Sequence, residues 1–338
     1  MSPERIDFFI AGSERSGTTV TCAMLDQYPD VCAMQGTTIL TRLANFQELM
    51  RHVVAAGGDV DGMKPDECET LVDFVTKSRV TPFLHKSIFH ACYYENMVNS
   101  ARTDVTKDLF AHKQYLENFQ FDRYMARYDP ENPTWANSIT ALYAEFVHSV
   151  GAGGHIYGEQ TPDNAMRIDA ILKMYPAAKI IFMVRHPITG IASLLERYGD
   201  VSRAINQYRK PFTLYPFEDA DVVNRTLFVK FEDLISNRAG VLASMAEFLG
   251  LSPDAAAKPD TSHESAVFQK YIGKSLTAER YFRSVLKHPA EERAALYHKN
   301  LDIADIFYTP EETMGIIAHG LDRETATAAA EAAEAAAA

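Results

Sequence analysis

The 338-residue sequence predicts an α/β fold: a P-loop-like, three-layer arrangement with a central, mainly parallel sheet flanked by helices, plus a helical insertion. Three observations carry this expectation. A short apolar run at residues 6–11 feeds a glycine-bounded polar loop at 12–19, and a helical pattern starts at 20–25. Further strand-like runs alternate with helical patterns from residue 155 onward, as a parallel sheet covered on both faces requires. A long stretch of helical periodicity, about 41–153, separates the first strand from the later ones.

The elements follow in chain order. Residues 6–11 begin with β-branched and aromatic side chains and fit a buried strand. Leu43, Phe46, Leu49, Met50 and Val53 recur at helical spacing, and so do Leu71, Phe74 and Val75. Trp135, Ile139, Leu142, Tyr143, Phe146 and Val147 mark another amphipathic helix, with Pro133 near its start. Phe110, Tyr115, Phe119, Phe121, Tyr124 and Tyr128 crowd one segment, either as helix packing or as a cap over an acceptor pocket. Strand-like runs return at 155–157, 179–184 and 226–231, with helical patterns at 165–174, 188–198 and 234–249. Residues 324–338 form an Ala/Glu-rich tail with no readable chemistry.

The first loop, Gly12 to Thr19, has the G-x4-G spacing of a phosphate cradle. Strand, glycine loop and helix N-terminus together make an anion site, because main-chain N–H groups point inward and the helix dipole favours negative charge. Thr18 stands where a nucleotide P-loop carries lysine, and the cation is Arg15, inside the loop. Arg185 follows the strand at 179–184, at the carboxyl end where open α/β sheets bind ligands, and Pro187 suits a helix start. Ser193 comes eight residues after Arg185, so the two are positioned to grip one phosphate from two directions. Glu232 and Asp233, at the junction after the last strand, read as compensation of a helix dipole.

Composition narrows the function class. A net charge of −12 argues against nucleic-acid or heparin-like partners, which need a basic surface. Cys22, Cys32, Cys68 and Cys92 lack metal-ligand spacing and read as buried free thiols in a reducing compartment, and no metal site is expected. No apolar stretch approaches the ~20 residues of a membrane span, and residues 6–11 are too short for a signal-peptide core. A cytoplasmic protein without a membrane partner is the expectation.

The segments GSERSGTT, VRHPITGIAS and KFEDL with FLGL, in this order over residues 8–251, resemble the sulfotransferase superfamily that uses 3′-phosphoadenosine 5′-phosphosulfate (PAPS). The resemblance implies one sulfotransferase domain over 1–323, PAPS as donor, its bisphosphate PAP as product, and no metal. It implies that Ser13, Arg15, Ser16, Gly17, Thr18 and Thr19 bind the 5′-phosphosulfate, and that Arg185 and Ser193 hold the 3′-phosphate. Relatives also close a late cation over the donor, and Arg280 beside Tyr281, in a patch with Lys270 and Lys274, fits that pattern. The implied partner is a small-molecule or carbohydrate acceptor. Two departures stand out: Glu14 replaces a frequent proline, and Gln160 replaces lysine in the segment YGEQTP, which is similar to GEKTP of bacterial-type relatives. The run from Gly12 to Val31 is also similar to tyrosylprotein sulfotransferases, but Met34 to Thr38 carry neither their acidic base nor the arginine after it.

Transfer of a sulfuryl group needs a base for the acceptor proton and positive donors for the leaving phosphate oxygen. Arg15 and the loop amides suit the second role. Glu159, His85, His90 and His155 are candidates for the first, with Glu159 and His85 leading. A histidine acts near neutrality without adjustment, whereas Glu159 needs burial to raise its pKa or an acidic acceptor. A structural role for Glu159, such as loop anchoring, remains open beside these. Two other classes also stay open here: a PAP-binding module without a base, and an ATP-using phosphotransferase, against which the missing lysine argues.

Overall fold

The computed structural model describes residues 5–102, 118–149, 154–251, 301–313 and 316. Five parallel strands form the sheet: β1 (Phe8–Gly12), β2 (Val31–Gln35), β3 (Ile156–Gln160), β4 (Lys179–Val184) and β5 (Thr226–Lys230). Their spatial order is β2-β3-β1-β4-β5. The chain leaves β1 toward β2 and leaves β4 toward β5, so connections diverge between β1 and β4. Such a switch point opens a crevice at the carboxyl ends of the strands.

Side chains alternate between two cores. Phe9, Ala11, Cys32, Met34, Tyr157, Ile180, Phe182 and Val184 face one core cluster. Phe8, Ile10, Val31, Ala33, Ile181, Met183 and Val229 face the other. Helix α1 (Thr18–Leu25) covers the second face with Val20, Cys22 and Leu25. Two later helices join it there, α11 (Phe231–Ser236) through Leu234 and α12 (Arg238–Leu249) through Met245 and Leu249. The first face takes the helical block: α2 (Ile39–Ala55), α3 (Leu71–Lys77), α4 (Pro82–Arg102), α5 (Phe121–Ala126) and α6 (Trp135–Ser149). It also takes α7 (Ile168–Met174), α8 (Pro187–Tyr198) and α9 (Val201–Leu214), so sheet and block share one continuous core. Short α10 (Ala220–Asn224) leads into β5, and α13 (Leu301–Phe307) packs its Ile303 into the first core.

The structure departs from the sequence expectation at three places. β2, VCAMQ, is a strand that local pattern does not announce, since only Val31 is a strong strand former. Its pairing with β3, from Val31↔Ile156 to Gln35↔Gln160, supplies what propensity lacks. β3 runs on past Tyr157 to Gln160, through a glycine that reads as a strand end. Gly158 is there because the Phe8 ring occupies the space of its missing side chain: a Cβ would lie 2.0 Å from Phe8 Cζ. The helical pattern at 234–249 breaks at Asn237, whose carboxamide accepts from Gly240 N at 3.3 Å and caps α12.

The described part of the aromatic segment, from Phe119 on, packs against α4. Phe89 meets Phe119, Phe121 and Tyr124 at ring separations of 4.9, 4.8 and 5.3 Å. Phe110 and Tyr115 lie outside the described residues, as does the tail at 324–338. The four cysteines are buried and free. No described helix is long and apolar enough to cross a membrane.

Two buried histidines make stability depend on pH. His85 and His186 are both 0 % exposed, and burial lowers each pKa from 6.5 to about 4. Between these values the unfolded chain binds the proton and the fold does not, so stability is lost as pH falls. The expected loss from pH 7 to pH 5 is about 2 kcal/mol per histidine. Urea unfolding at both pH values should show the loss reduced by that amount in His85→Gln.

Candidate functional site

The loop between β1 and α1 takes its shape from residues that tolerate unusual backbone angles. Gly12, Arg15 and Gly17 have φ of 139°, 68° and 93°. A left-handed residue other than glycine is uncommon, and its placement inside a loop of this kind turns successive N–H groups toward one concavity. Gly17 is also required by contact, because a Cβ there would sit 2.5 Å from the Phe231 ring, and one at Gly12 would sit 2.3 Å from the Met183 carbonyl oxygen. Ser16 Oγ donates to the Ser13 carbonyl at 2.6 Å and closes the loop from within. Gly17 caps α1 without a side-chain bond, which leaves the first-turn N–H groups of Thr18 and Thr19 outside the helix ladder. Ser13, Ser16 and Thr18 are buried, Thr19 is half-buried and Arg15 is exposed.

Arg185 and Ser193 come to this loop. Arg185 leaves the end of β4, is 4 % exposed and lies with its guanidinium 4.7 Å over the Phe231 ring. Its Nη1 donates to the Arg15 carbonyl at 2.9 Å, and its Nε to Thr189 Oγ1 at 3.1 Å. Ser193, one face round α8, accepts from Arg15 Nε at 3.1 Å. Burial lowers the Arg185 pKa to about 10, Glu232 works against that shift and Arg15 adds to it. At neutral pH the group is still a cation, held in a place that favours an anion beside it.

Among the described residues, the carboxylates of Glu14 and Glu232 have partners of their own. The Glu14 carboxylate accepts from Tyr198 Oη at 2.6 Å and stands 3.7 Å from Arg197 Nη1. Glu232 sits in the first turn of α11, where the dipole favours it, but its oxygens serve other elements. They accept from His186 N at 3.1 Å and from Tyr308 Oη at 2.6 Å. Residues 301–313 thereby join the Arg185 side of the site, helped by a Lys230–Glu312 ion pair at 2.8 Å.

Glu159 and His85 occupy different surroundings. Glu159, on the same face of β3 as Tyr157, is 1 % exposed. Its carboxylate accepts from Thr37 Oγ1 at 2.5 Å, Thr161 Oγ1 at 2.7 Å and Asn164 Nδ2 at 2.5 Å. Burial raises its pKa, and these three bonds pull it back. The neighbouring Gln160 donates from Nε2 to Thr18 Oγ1 at 3.0 Å, tying this strand end to the loop. His85 lies inside the helical block, with Nδ1 2.6 Å from Ser138 Oγ and its ring stacked 4.2 Å from Tyr124. His90 stands on α4 against Phe89 and Phe121, and exposed His155 precedes β3. Arg280, Lys270, Lys274 and Tyr281 lie outside the described residues.

Sequence reasoning missed Tyr198, Tyr208 and Phe231. The first draws Glu14 aside, the second donates to the Arg185 carbonyl at 2.6 Å, and the third lies beneath both Gly17 and Arg185. A signal existed for Phe231, the aromatic in KFEDL. It also missed Arg167, whose pKa burial lowers, with Arg42 adding to the shift and Asp163 and Glu159 opposing it.

The Sulfotransferase family model matches residues 7–255. No curated protein matches the chain. Among solved structures, the sulfotransferase domain of the Synechococcus PCC 7002 olefin synthase is 15% identical, over 88% of this chain and 96% of that one, with a TM-score of 0.42. A sulfotransferase from Alicyclobacillus acidocaldarius is 15% identical, over 86% and 100%, with a TM-score of 0.37. Sulfotransferase STF9 from Mycobacterium avium is 12% identical, over 85% and 76%, with a TM-score of 0.35. These scores are too low to add to the assignment, which rests on the family match over residues 7–255. The chain belongs to the sulfotransferase family.

Proposed function

We propose that this sulfotransferase moves a sulfuryl group from PAPS to a hydroxyl or amine of a small-molecule or carbohydrate acceptor and releases PAP. One observation supports the donor most: two sequence elements 170 residues apart, the loop at Arg15 and the strand end at Arg185, are hydrogen-bonded to each other. A bisphosphate needs two cationic cradles close together, and the bonds from Arg185 Nη1 to the Arg15 carbonyl and from Arg15 Nε to Ser193 support that reading. The residues fit the donor. Loop amides, Thr18 and Thr19 would take the 5′ end, in a loop whose shape requires glycine at 12 and 17. Arg185 and Ser193 would take the 3′-phosphate, and Arg280 would add a cation from beyond the described residues.

When bound, the donor supplies an electrophilic sulfur and a phosphate leaving group. Arg15 neutralises charge that builds on the leaving oxygen, acting with the loop N–H groups. Glu159 takes the acceptor proton: the side chains of Thr37, Thr161 and Asn164 and the Thr37 backbone fix its carboxylate, and burial lifts its basicity. His85 then serves the core of the helical block. No metal is assigned a role.

Thermal unfolding tests the donor. PAP at a hundredfold excess over its Kd is expected to stabilise the chain by about 2.7 kcal/mol, and ATP with Mg²⁺ is expected to leave it unshifted. The reverse pattern would point to phosphotransfer.

A further inference from the structure

Residues 301–313 dock beside the Arg185 turn through polar ties as well as packing. Ile303 and Tyr308 bury in the first core, and the Asp302 carboxylate accepts from Arg209 Nη1 and Nη2 at 3.0 and 2.7 Å. Both oxygens of Glu312 accept from Lys230 Nζ, at 2.8 and 3.1 Å. Two further contacts fall on the residue after Arg185. The His186 ring meets the Tyr308 ring edge to face at 4.9 Å, and its Nε2 lies 3.4 Å from Thr313 Oγ1. Ile188 N donates to His186 Nδ1 at 3.3 Å, so the neutral ring carries its proton on Nε2, the nitrogen nearest Thr313.

One contact reaches past His186 to the arginine itself. Tyr308 Oη donates to Glu232 Oε2 at 2.6 Å. Burial, and then the Glu232 charge, push the hydroxyl pKa far up, so Tyr308 keeps its proton and stays a donor. The other carboxylate oxygen, Oε1, accepts from His186 N at 3.1 Å and stands 3.4 Å from Thr189 Oγ1. That threonine hydroxyl accepts from Arg185 Nε at 3.1 Å, and its own proton lies between Glu232 Oε1 and the His186 carbonyl, 3.2 Å away. A chain of bonds thus runs from Tyr308 through Glu232 and Thr189 to the Arg185 side chain. A second runs from Glu232 to the peptide N–H that follows Arg185. Glu232 also favours the charged guanidinium, opposing the loss of basicity that burial imposes on Arg185.

We propose that Tyr308 is a positioning residue for the 3′-phosphate clamp: its hydroxyl holds Glu232 against Thr189 and His186, and these hold the Arg185 guanidinium in its phosphate-binding orientation. The inference rests on the donor reading above. It gives residues 301–313 a part in donor recognition, with Tyr308 acting through Arg185.

Calorimetric titration of PAP and of adenosine 5′-monophosphate into the full chain tests this. Tyr308→Phe keeps the ring against His186 and removes only the hydroxyl. It is expected to weaken PAP by about 3–10-fold, the worth of one hydrogen bond, and to leave the monophosphate unchanged. In the Arg185→Ala background the same change should cost nothing further, because members of one network are not additive. Asp302→Asn, which loosens the segment away from Glu232, should leave both affinities as in the wild type. Glu232→Gln should repeat the PAP-specific loss, and it stands in if Tyr308→Phe does not fold. A loss shared equally by both ligands, an unchanged PAP affinity, a full additional loss on top of Arg185→Ala, or the same loss in Asp302→Asn would overturn the role of Tyr308 while leaving the donor reading intact. A wild-type chain that binds PAP no more tightly than the monophosphate would overturn the donor reading and this inference with it.

Discussion

Arg15→Ala is expected to lower turnover by about 10²–10³, the usual cost of removing a preorganised donor to developing charge. The same change should weaken PAP binding, but by less, because the loop amides and Arg185 remain. The reasoning is local. Arg15 is the cation of the loop, its φ of 68° holds it in a conformation a non-glycine residue rarely adopts, and its Nε reaches Ser193. Alanine keeps a Cβ at that strained position, so the fold is retained while the guanidinium is lost. Single-turnover rates with labelled PAPS, beside PAP affinity, separate the two effects. A variant that loses PAP affinity and turnover by the same factor would place Arg15 in ground-state binding alone.

Glu159→Gln should reduce turnover by about 10²–10⁴ with PAP affinity unchanged, as removal of a positioned base does. The pH profile supplies an independent check. A base must be deprotonated, so activity falls as pH drops through its pKa. Burial sets the Glu159 pKa above the ordinary 4.5, and the bonds from Thr37, Asn164 and Thr161 limit the rise. The acid limb of kcat/KM is therefore expected above 4.5 in the wild type and absent from the residual activity of the variant. Survival of turnover in Glu159→Gln, together with its loss in His85→Ala, would transfer the role to the histidine. His85 is packed against Tyr124 and Ser138 with no exposed surface, and Glu159 is 1 % exposed, so the variants and not burial decide between them.

The parts of this site that were legible in sequence are those where local geometry restricts residue choice. Glycines at 12 and 17 are dictated by positive φ and by the carbonyl and ring that crowd them, so their spacing survives as a signal. Arg185 and Ser193 are legible because a strand end and the first turns of a helix place them at a known offset. The parallel sheet was legible from strand and helix alternation, except where tertiary pairing overrides propensity. β2 is held by β3 and carries little signal of its own, and β3 hides behind Gly158, which is a steric necessity under Phe8. Glu232 illustrates a different limit. Its position before a helix suggested a dipole role, and the fold uses its oxygens to tie His186 and Tyr308 together. Arg167 was illegible for the plainest reason: the groups that act on it, Arg42 and Glu159 among them, come from elsewhere in the chain. Aromatic crowding at 119–128 left two readings open in sequence, since packing and ligand binding select the same side chains, and the ring contacts of Phe89 with Phe119, Phe121 and Tyr124 are packing.

The central claim is that Arg185 and the first loop grip two ends of one bisphosphate. PAP and adenosine 5′-monophosphate differ only in the 3′-phosphate, so their affinities for the wild type and for Arg185→Ala form a thermodynamic cycle. The account predicts that Arg185→Ala weakens PAP by about 10–100-fold, the range for a hydrogen bond to a charged group, and leaves the monophosphate nearly unchanged. Equal losses for both ligands, or no loss for either, would contradict it.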